Sequence, residues 1–313
     1  MKCPVCGGEV TLVPHFDVRE PQIRKTVLLH NESSNCPTAK ALPSVINQAF
    51  NADCLTGMSW IPDKSVDLIL CDLPYGTTRN RWDVVIPFTA LWEQYERIVK
   101  DNGAIVLFSD GLFTVQLIHS NMKLWRYNLV WDKVLSSGFL NANRQPLRQH
   151  EMISVFYKKP PTYNPQKVHG QKNHSKGKPK NYENHNYGDF QFVDNQEALG
   201  DLKHPTSILT FSKPHPSISV HPTQKPEALL EYLIKTYTNE GETVLDNCFG
   251  SGSTLVAATK CGRNCIGFEK EERYFNVSAE RIQKEAEAYA RQRLDGYQPI
   301  HPRRPRCKKL RTE

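Results

Sequence analysis

Val66-Asp67-Leu68-Ile69-Leu70-Cys71 runs directly into Asp72-Leu73-Pro74-Tyr75. The first six residues form an apolar run of the length expected for a strand buried on both faces, and Pro74 marks a turn just beyond it. Further along, Phe88 to Val99 carry apolar side chains at helical spacing, Gly103 breaks that helix, and Ala104 to Phe108 reads as a second buried strand. Tyr127 to Trp131 and Met152 to Tyr157 are two more strand candidates. After Pro226 the sequence predicts a helix over 227–237, a strand over 243–246, a Gly-rich loop, a helix over 253–260 and a strand over 264–269. A long Glu/Lys/Ala helix from Glu272 to about Gln292 follows. Strands alternating with helices predict an α/β fold, with one mostly parallel sheet covered by helices on both faces.

Composition narrows the setting. The chain has 313 residues, and its 40 Lys and Arg against 33 Asp and Glu leave a net charge of +7, which favours a polyanionic partner such as nucleic acid. No stretch approaches the roughly 20 apolar residues needed to span a bilayer, and the start lacks the apolar centre of a signal peptide; a cytoplasmic protein without membrane contact is expected. Nine cysteines in a chain of this length read as core residues or metal ligands, and no structural disulfide is expected.

Five segments are predicted. A Cys-containing appendage covers 1–46, the two halves of the α/β unit cover 47–159 and 216–292, an insertion covers 160–215, and a basic tail covers 293–313. The insertion is rich in Lys, Asn, His, Gly and Tyr and cannot bury a core. Around it Lys159, Lys167, Lys172, Lys176, Lys178 and Lys180 interleave with Tyr163, Tyr182, Tyr187, Phe190 and Phe192. Such a mixture can neutralise phosphates and stack on bases, although alone it reads as a solvated loop. In the appendage, Cys3-Pro4-Val5-Cys6-Gly7-Gly8 has the spacing of half a zinc knuckle. Its remaining ligands would come from His15, His30 or Cys36, none of which makes a second C-x-x-C; a structural zinc on Cys3, Cys6 and Cys36 is an open expectation.

Asp246-Asn247-Cys248-Phe249-Gly250-Ser251-Gly252-Ser253-Thr254 lies between a predicted strand and helix, where glycines allow a tight turn and close approach to a ligand. The third glycine of G-x-G-x-x-G is absent. Glu269, roughly 20 residues on at the end of the next strand, can accept bonds from two ribose hydroxyls. Together they predict an adenosine-containing cofactor without saying which. Asp72 to Tyr75, at the carboxyl edge of the sheet, suit amine chemistry. The lone pair of an exocyclic amine is delocalised, and acceptors such as the Asp72 carboxylate and a backbone carbonyl favour its pyramidal form. Pro74 stiffens the turn and Tyr75 offers a stacking face.

Cys71 to Thr78 resembles the D-P-P-Y motif of DNA adenine-N6 methyltransferases, and Asp246 to Thr254 resembles their F-x-G-x-G cofactor motif. His221-Pro222-Thr223-Gln224-Lys225-Pro226 is similar to their H-P-t-x-K-P stretch. The catalytic motif first, a basic region next and the cofactor motif last is the permuted order of the β group. The resemblance runs from about Ala49 to about Ile282. It implies a Rossmann-like, S-adenosylmethionine-dependent methyltransferase fold with a circularly permuted, mostly parallel seven-stranded sheet, a reversed edge hairpin and a target-recognition insertion over 160–215. By the same resemblance Phe249, Gly250 and Gly252 would cradle S-adenosylmethionine, together with Asp246 and Ser253 of the same loop. Glu269 would hold its ribose, Asp53 would contact its adenine, and Thr223 and Lys225 would sit near its methionine part. The implied activity is methylation of adenine N6 on a base flipped out of double-stranded DNA, in a restriction–modification or phage setting. Asn141, Asn143, Arg144, Arg148 and His150 could touch that DNA or simply form a polar loop. Leu73 departs from the motif's first proline but keeps the carbonyl. Asp72 favours adenine over cytosine N4, where Ser is usual; cytosine-N4 methylation and an inactive cofactor-binding DNA module are the alternatives.

Overall fold

The computed structural model of the chain describes residues 10–18, 20–30, 45–170, 201–213 and 224–294. Its strands are β1 (Val10–Asp17), β2 (Glu20–His30), β3 (Gln48–Asn51), β4 (Val66–Asp72), β5 (Val99–Ser109), β6 (Trp125–Ser137), β7 (Arg148–Phe156), β8 (Val168–His169), β9 (Leu202–Lys203), β10 (Ile208–Thr210), β11 (Thr243–Asp246) and β12 (Asn264–Glu269). The helices are α1 (Cys54–Met58), α2 (Phe88–Ile98), α3 (Gly111–Ser120), α4 (Glu227–Tyr237), α5 (Ser253–Lys260) and α6 (Glu272–Leu294).

One sheet carries the architecture, in the order β10-β6-β7-β5-β4-β11-β12-β3-β1-β2. Strands β5, β4, β11, β12 and β3 are parallel, and β7 runs against both β5 and β6. The seven strands from β6 to β3 match the expected sheet, but the whole sheet has ten. The reversed hairpin is not an edge, because β10 pairs alongside β6; at the other side the β1–β2 hairpin continues from β3. Pro14 and Pro21 lie within those two added strands, and proline weakens a strand signal because it cannot donate to a ladder.

The period-two side-chain alternation of β4 explains why helices cover both faces. Leu68 and Leu70 point to one side, where they share a core with Leu229 and Leu233 of α4, Leu255 of α5 and Phe275 of α6. Ile69 and Cys71 point to the other, against Met58 of α1, Tyr95 of α2 and Leu117 of α3. Helix α2 ends at Ile98 and β5 starts at the next residue, so Gly103 lies within a strand and does not terminate the helix.

Chain order reverses between β4 and β11. From β4 the chain steps to β5 on one side, and from β11 it steps to β12 on the other, while β4 and β11 are paired neighbours. The divergence of the following loops opens a crevice at the carboxyl ends of these two strands, the place where open α/β sheets take ligands. Among the described residues no helix is long and apolar enough to cross a membrane.

Candidate active site

A cavity of about 1010 Å³ opens at this crevice. Two groups of residues line it. Asp53, Asp246, Phe249, Gly250, Ser253 and Glu269 form one end, and Asp72 to Tyr75, Trp131, Lys133, Glu151 and Lys225 form the other.

Asp72 is the last residue of β4, so the sheet fixes its backbone. One carboxylate oxygen accepts a 2.7 Å hydrogen bond from the Tyr75 hydroxyl, and the other accepts one of 2.6 Å from the Lys225 ammonium. The Tyr75 ring stacks on Phe113 of α3 at 4.8 Å. The loop beyond is tied down by Asp83, whose carboxylate accepts the backbone N–H groups of Gly76, Thr77 and Thr78 at 2.6–3.0 Å. Burial would raise the Asp83 carboxyl, but the Thr78 side chain and these backbone bonds hold it below the usual range. Asp83 anchors the turn that follows Tyr75, a role that one acid in a polar loop does not advertise in sequence.

Lys225 precedes Pro226, the N-cap of α4, and is buried. Its ammonium pairs with Asp72 at 2.6 Å and with Glu151 of β7 at 3.3 Å, in the same cavity that the Gly-rich loop lines. It also lies 5.0 Å from the centre of the Phe108 ring. Lys133, on an irregular stretch of β6, binds Glu151 at 3.2 Å. Burial opposes the Lys225 charge, yet the carboxylates of Asp72 and Glu151 outweigh it and raise its pKa. Burial also pushes Glu151 up, but the two ammonium groups prevail and hold it down. Asp72 differs: burial lifts it above the ordinary carboxylate range despite Lys225, so it is the acid that binds a proton more readily.

At the other end, Glu269 closes β12 and accepts the N–H groups of Gly250 and Glu271 at 2.9 and 2.8 Å. Burial still moves its carboxyl up to about 7. Asp246 is pushed up to about 6, again by burial, while accepting the Cys248 N–H at 3.1 Å. Asp53 is exposed and caps α1, its side chain accepting from Leu55 and Thr56. Ser253 is buried at the start of α5, where Arg281 of α6 donates to its hydroxyl at 2.8 Å. Gly252 does not line the cavity: its φ is +75°, and a side chain there would meet Ile282 and Ser278 of α6. Its glycine serves packing of the loop on α6.

Phe249 lies over Gly267 of β12, where an added Cβ would come within 2.6 Å of the ring. Gly267→Ala is therefore expected to push Phe249 into the cavity and cost about 1–3 kcal/mol of stability. Chemical denaturation and a cofactor titration together would check both effects.

Several expectations fall elsewhere. Thr223, Cys3, Cys6 and Cys36 lie outside the described residues, as do 171–200, which carry most of the insertion's basic and aromatic residues. Among the described residues no group of three or more His, Cys, Asp or Glu could hold a metal ion. Lys159 pairs with Asp101 near the start of β5, and Tyr163 packs on Tyr237 at the end of α4, so neither lines the crevice. Glu151, Lys133 and Asp83 were missed because each is an isolated charge; only folding brings them to the same cavity.

Residues 66–280 match the N6/N4 methylase family, described as DNA methylase. The type II methyltransferase M.HinfI of Haemophilus influenzae is 26% identical over 268 residues, covering 76% of this chain and 69% of the relative. M.HpaI of Haemophilus parainfluenzae, also a type II methyltransferase, is 26% identical over 272 residues, covering 82% and 78%. Among solved structures, the PvuII DNA methyltransferase (cytosine-N4-specific) superposes with a TM-score of 0.54 at 15% identity, over 80% of this chain and 93% of that one. The M1.HpyAVI–SAM complex gives 0.52 at 24% identity, over 75% and 98%. The structural likenesses speak for the fold alone, but the matched residues 66–280 carry both loops that frame the crevice, and the chain belongs to the N6/N4 DNA methylase family.

Proposed function

We propose that this chain methylates the N6 amine of adenine in DNA, and the observation that carries the proposal is the position of Asp72 at the carboxyl end of β4, beside β11, in the same cavity that the Gly-rich loop and Glu269 line. The donor set suits S-adenosylmethionine. Glu269 supplies a carboxylate for ribose hydroxyls, Gly250 a backbone N–H, Phe249 an aromatic edge and Asp53 an exposed acceptor, with Asp246 and Ser253 beneath them. When bound, the cofactor supplies an electrophilic methyl group.

The chain's own residues do the rest. The Asp72 carboxylate and the Leu73 backbone carbonyl accept the two amine hydrogens, which localises the nitrogen lone pair toward the methyl donor. Tyr75, already backed by Phe113, presents its ring to the base. Both Asp72 oxygens are engaged by Tyr75 and Lys225, so the incoming amine must share or displace one of them. Glu151 gives the Lys225 ammonium a second carboxylate to hold while that happens. Asp rather than Ser at position 72 supports adenine over cytosine. Relatives that are type II methyltransferases support a restriction–modification setting, with double-stranded DNA as the substrate.

Expression in a methylation-free host, followed by single-molecule sequencing, tests the reading. N6-methyladenine at one recurring sequence is the expected result; N4-methylcytosine or an unmodified genome would overturn it. A pH effect follows from Glu269. It accepts two hydroxyls best as a carboxylate and is protonated below about pH 7, so cofactor affinity is expected to rise from about pH 6 to about pH 8. Calorimetric titration should show that slope in the wild type and a flattened one in Glu269→Gln.

A further inference from the structure

The most exposed apolar group among the described residues sits at the turn between β6 and β7, whose flanking residues Ser137 and Arg148 line the cavity. Leu140 is fully exposed, at 102% of its reference area, and Phe139 beside it is 68% exposed; Leu135 is exposed as well. Phe139–Asn141 form one tight 3-10 turn after Gly138, whose φ is +89°. The tip begins two residues past Ser137, which lines the cavity. Ser137 and Arg148 pair across the hairpin, and Arg148, also a lining residue, is fixed by a 2.7 Å ion pair with Asp110.

The hairpin is built for this projection. Between Asp132 and Ser137 the register shifts, so a bulge separates the sheet from the tip. The bulge turns Lys133 inward, to 3% exposure, and turns Val134 and Leu135 outward. Val134 has a φ of +65°, a conformation that a β-branched residue adopts only at a cost. Such strain is found where a local conformation serves a site.

We propose that Phe139 and Leu140 insert into duplex DNA and fill the space vacated by the target base as it enters the cavity. The proposal rests on the DNA-methylating reading above. Charge selects the occupant: Val134 to His150 contain Arg144 and Arg148 but no Asp or Glu, and Lys213 lines the cavity beside them. Burial and the ammonium of Lys133 lower the pKa of Lys213, which a nearby phosphate would reverse. A second copy of this chain, itself at +7, would set like charge against like. Apolar wedges between base steps, flanked by cations that hold the backbone, are the physical means of keeping a kinked or emptied stack open. The side chains that enter the helix are thereby assigned to the β6–β7 tip.

The test uses the full chain and two duplexes bearing the sequence that genomic sequencing identifies, one with 2-aminopurine at the target for the fluorescence reading and one with adenine there for methylation. Wild-type binding is expected to raise the fluorescence as the base leaves the stack. F139A/L140A is expected to lose most of that rise and to slow single-turnover methylation by about tenfold to a hundredfold. Its cofactor affinity should stay within about twofold of wild type, since neither side chain lines the cavity. An abasic site opposite the target removes the pair that must be broken, and should restore the variant's rate. Unchanged flipping and rate in the variant would overturn the proposal, as would a defect that the abasic substrate does not relieve. Loss of a wild-type dimer in the variant, seen by sedimentation, would assign the tip to a second copy instead. A wild type inactive on every DNA would overturn the underlying reading, and this proposal with it.

Discussion

Asp72→Ala is expected to lower the rate of methyl transfer by about 10²–10³-fold while leaving cofactor affinity within about twofold. The two effects separate because, on the proposed reading, Asp72 meets the amine, whereas Glu269, Phe249 and Gly250, which line the same cavity, meet the cofactor. The fold should tolerate the change. Lys225 loses one carboxylate but keeps Glu151 at 3.3 Å, so its ammonium is not left buried without a counter-charge. Asp72→Asn keeps one acceptor oxygen and should fall between the two. Single-turnover methylation with saturating cofactor measures the rate, and calorimetry the affinity. A full-rate alanine variant would remove Asp72 from the chemistry.

Lys225→Met should do the reverse, harming the fold as well as the rate. Removing the ammonium leaves Asp72 and Glu151 facing one another in a buried setting, compensated on one side only by Lys133. Losing one partner of a buried ion pair costs about 3–5 kcal/mol, and the partial exposure of Asp72 places this variant near the lower end. Denaturant midpoints would read that loss. The pH–rate profile carries a second signature. The Lys225 ammonium pulls the Asp72 pKa down, so its removal raises that pKa further. Protonated Asp72 offers the amine a poorer acceptor, and activity is lost as pH falls through its pKa. The acid limb of the profile should therefore move to higher pH in Lys225→Met, a change that general loosening of the fold would not produce.

Much of this molecule was legible in its sequence, and the exceptions have physical causes. Helix 227–237, strand 243–246, helix 253–260 and strand 264–269 appear with the bounds that apolar pattern predicts, because the two helices bury an apolar face in the core on one side of the sheet and the two strands are buried on both faces within it. The β1–β2 hairpin and β10 were not legible. Two prolines blur the first, and the second is three residues long and is held by pairing with β6. Helix α3 was also missed: its apolar residues are not confined to one face, leaving Leu112 and Val115 exposed while Phe113 and Leu117 are buried. At the site, the residues carried by local motifs, Asp72 to Tyr75 and Asp246 to Ser253, could be found by reading along the chain. Glu151, Lys133 and Asp83 could not, because their meaning lies in partners that are distant in sequence. Lys225 shows the limit of a motif: its presence was legible, but its attachment to Asp72, 153 positions away, belongs to the fold.

The most direct measurement is the identity of the methylated nucleoside. Purified protein would be incubated with unmethylated DNA and S-adenosylmethionine carrying a labelled methyl group, and the DNA digested and resolved by mass. N6-methyladenine from the wild type, and none above background from Asp72→Ala, is the predicted outcome. Label in N4-methylcytosine, or DNA left unlabelled by the wild type, would contradict it.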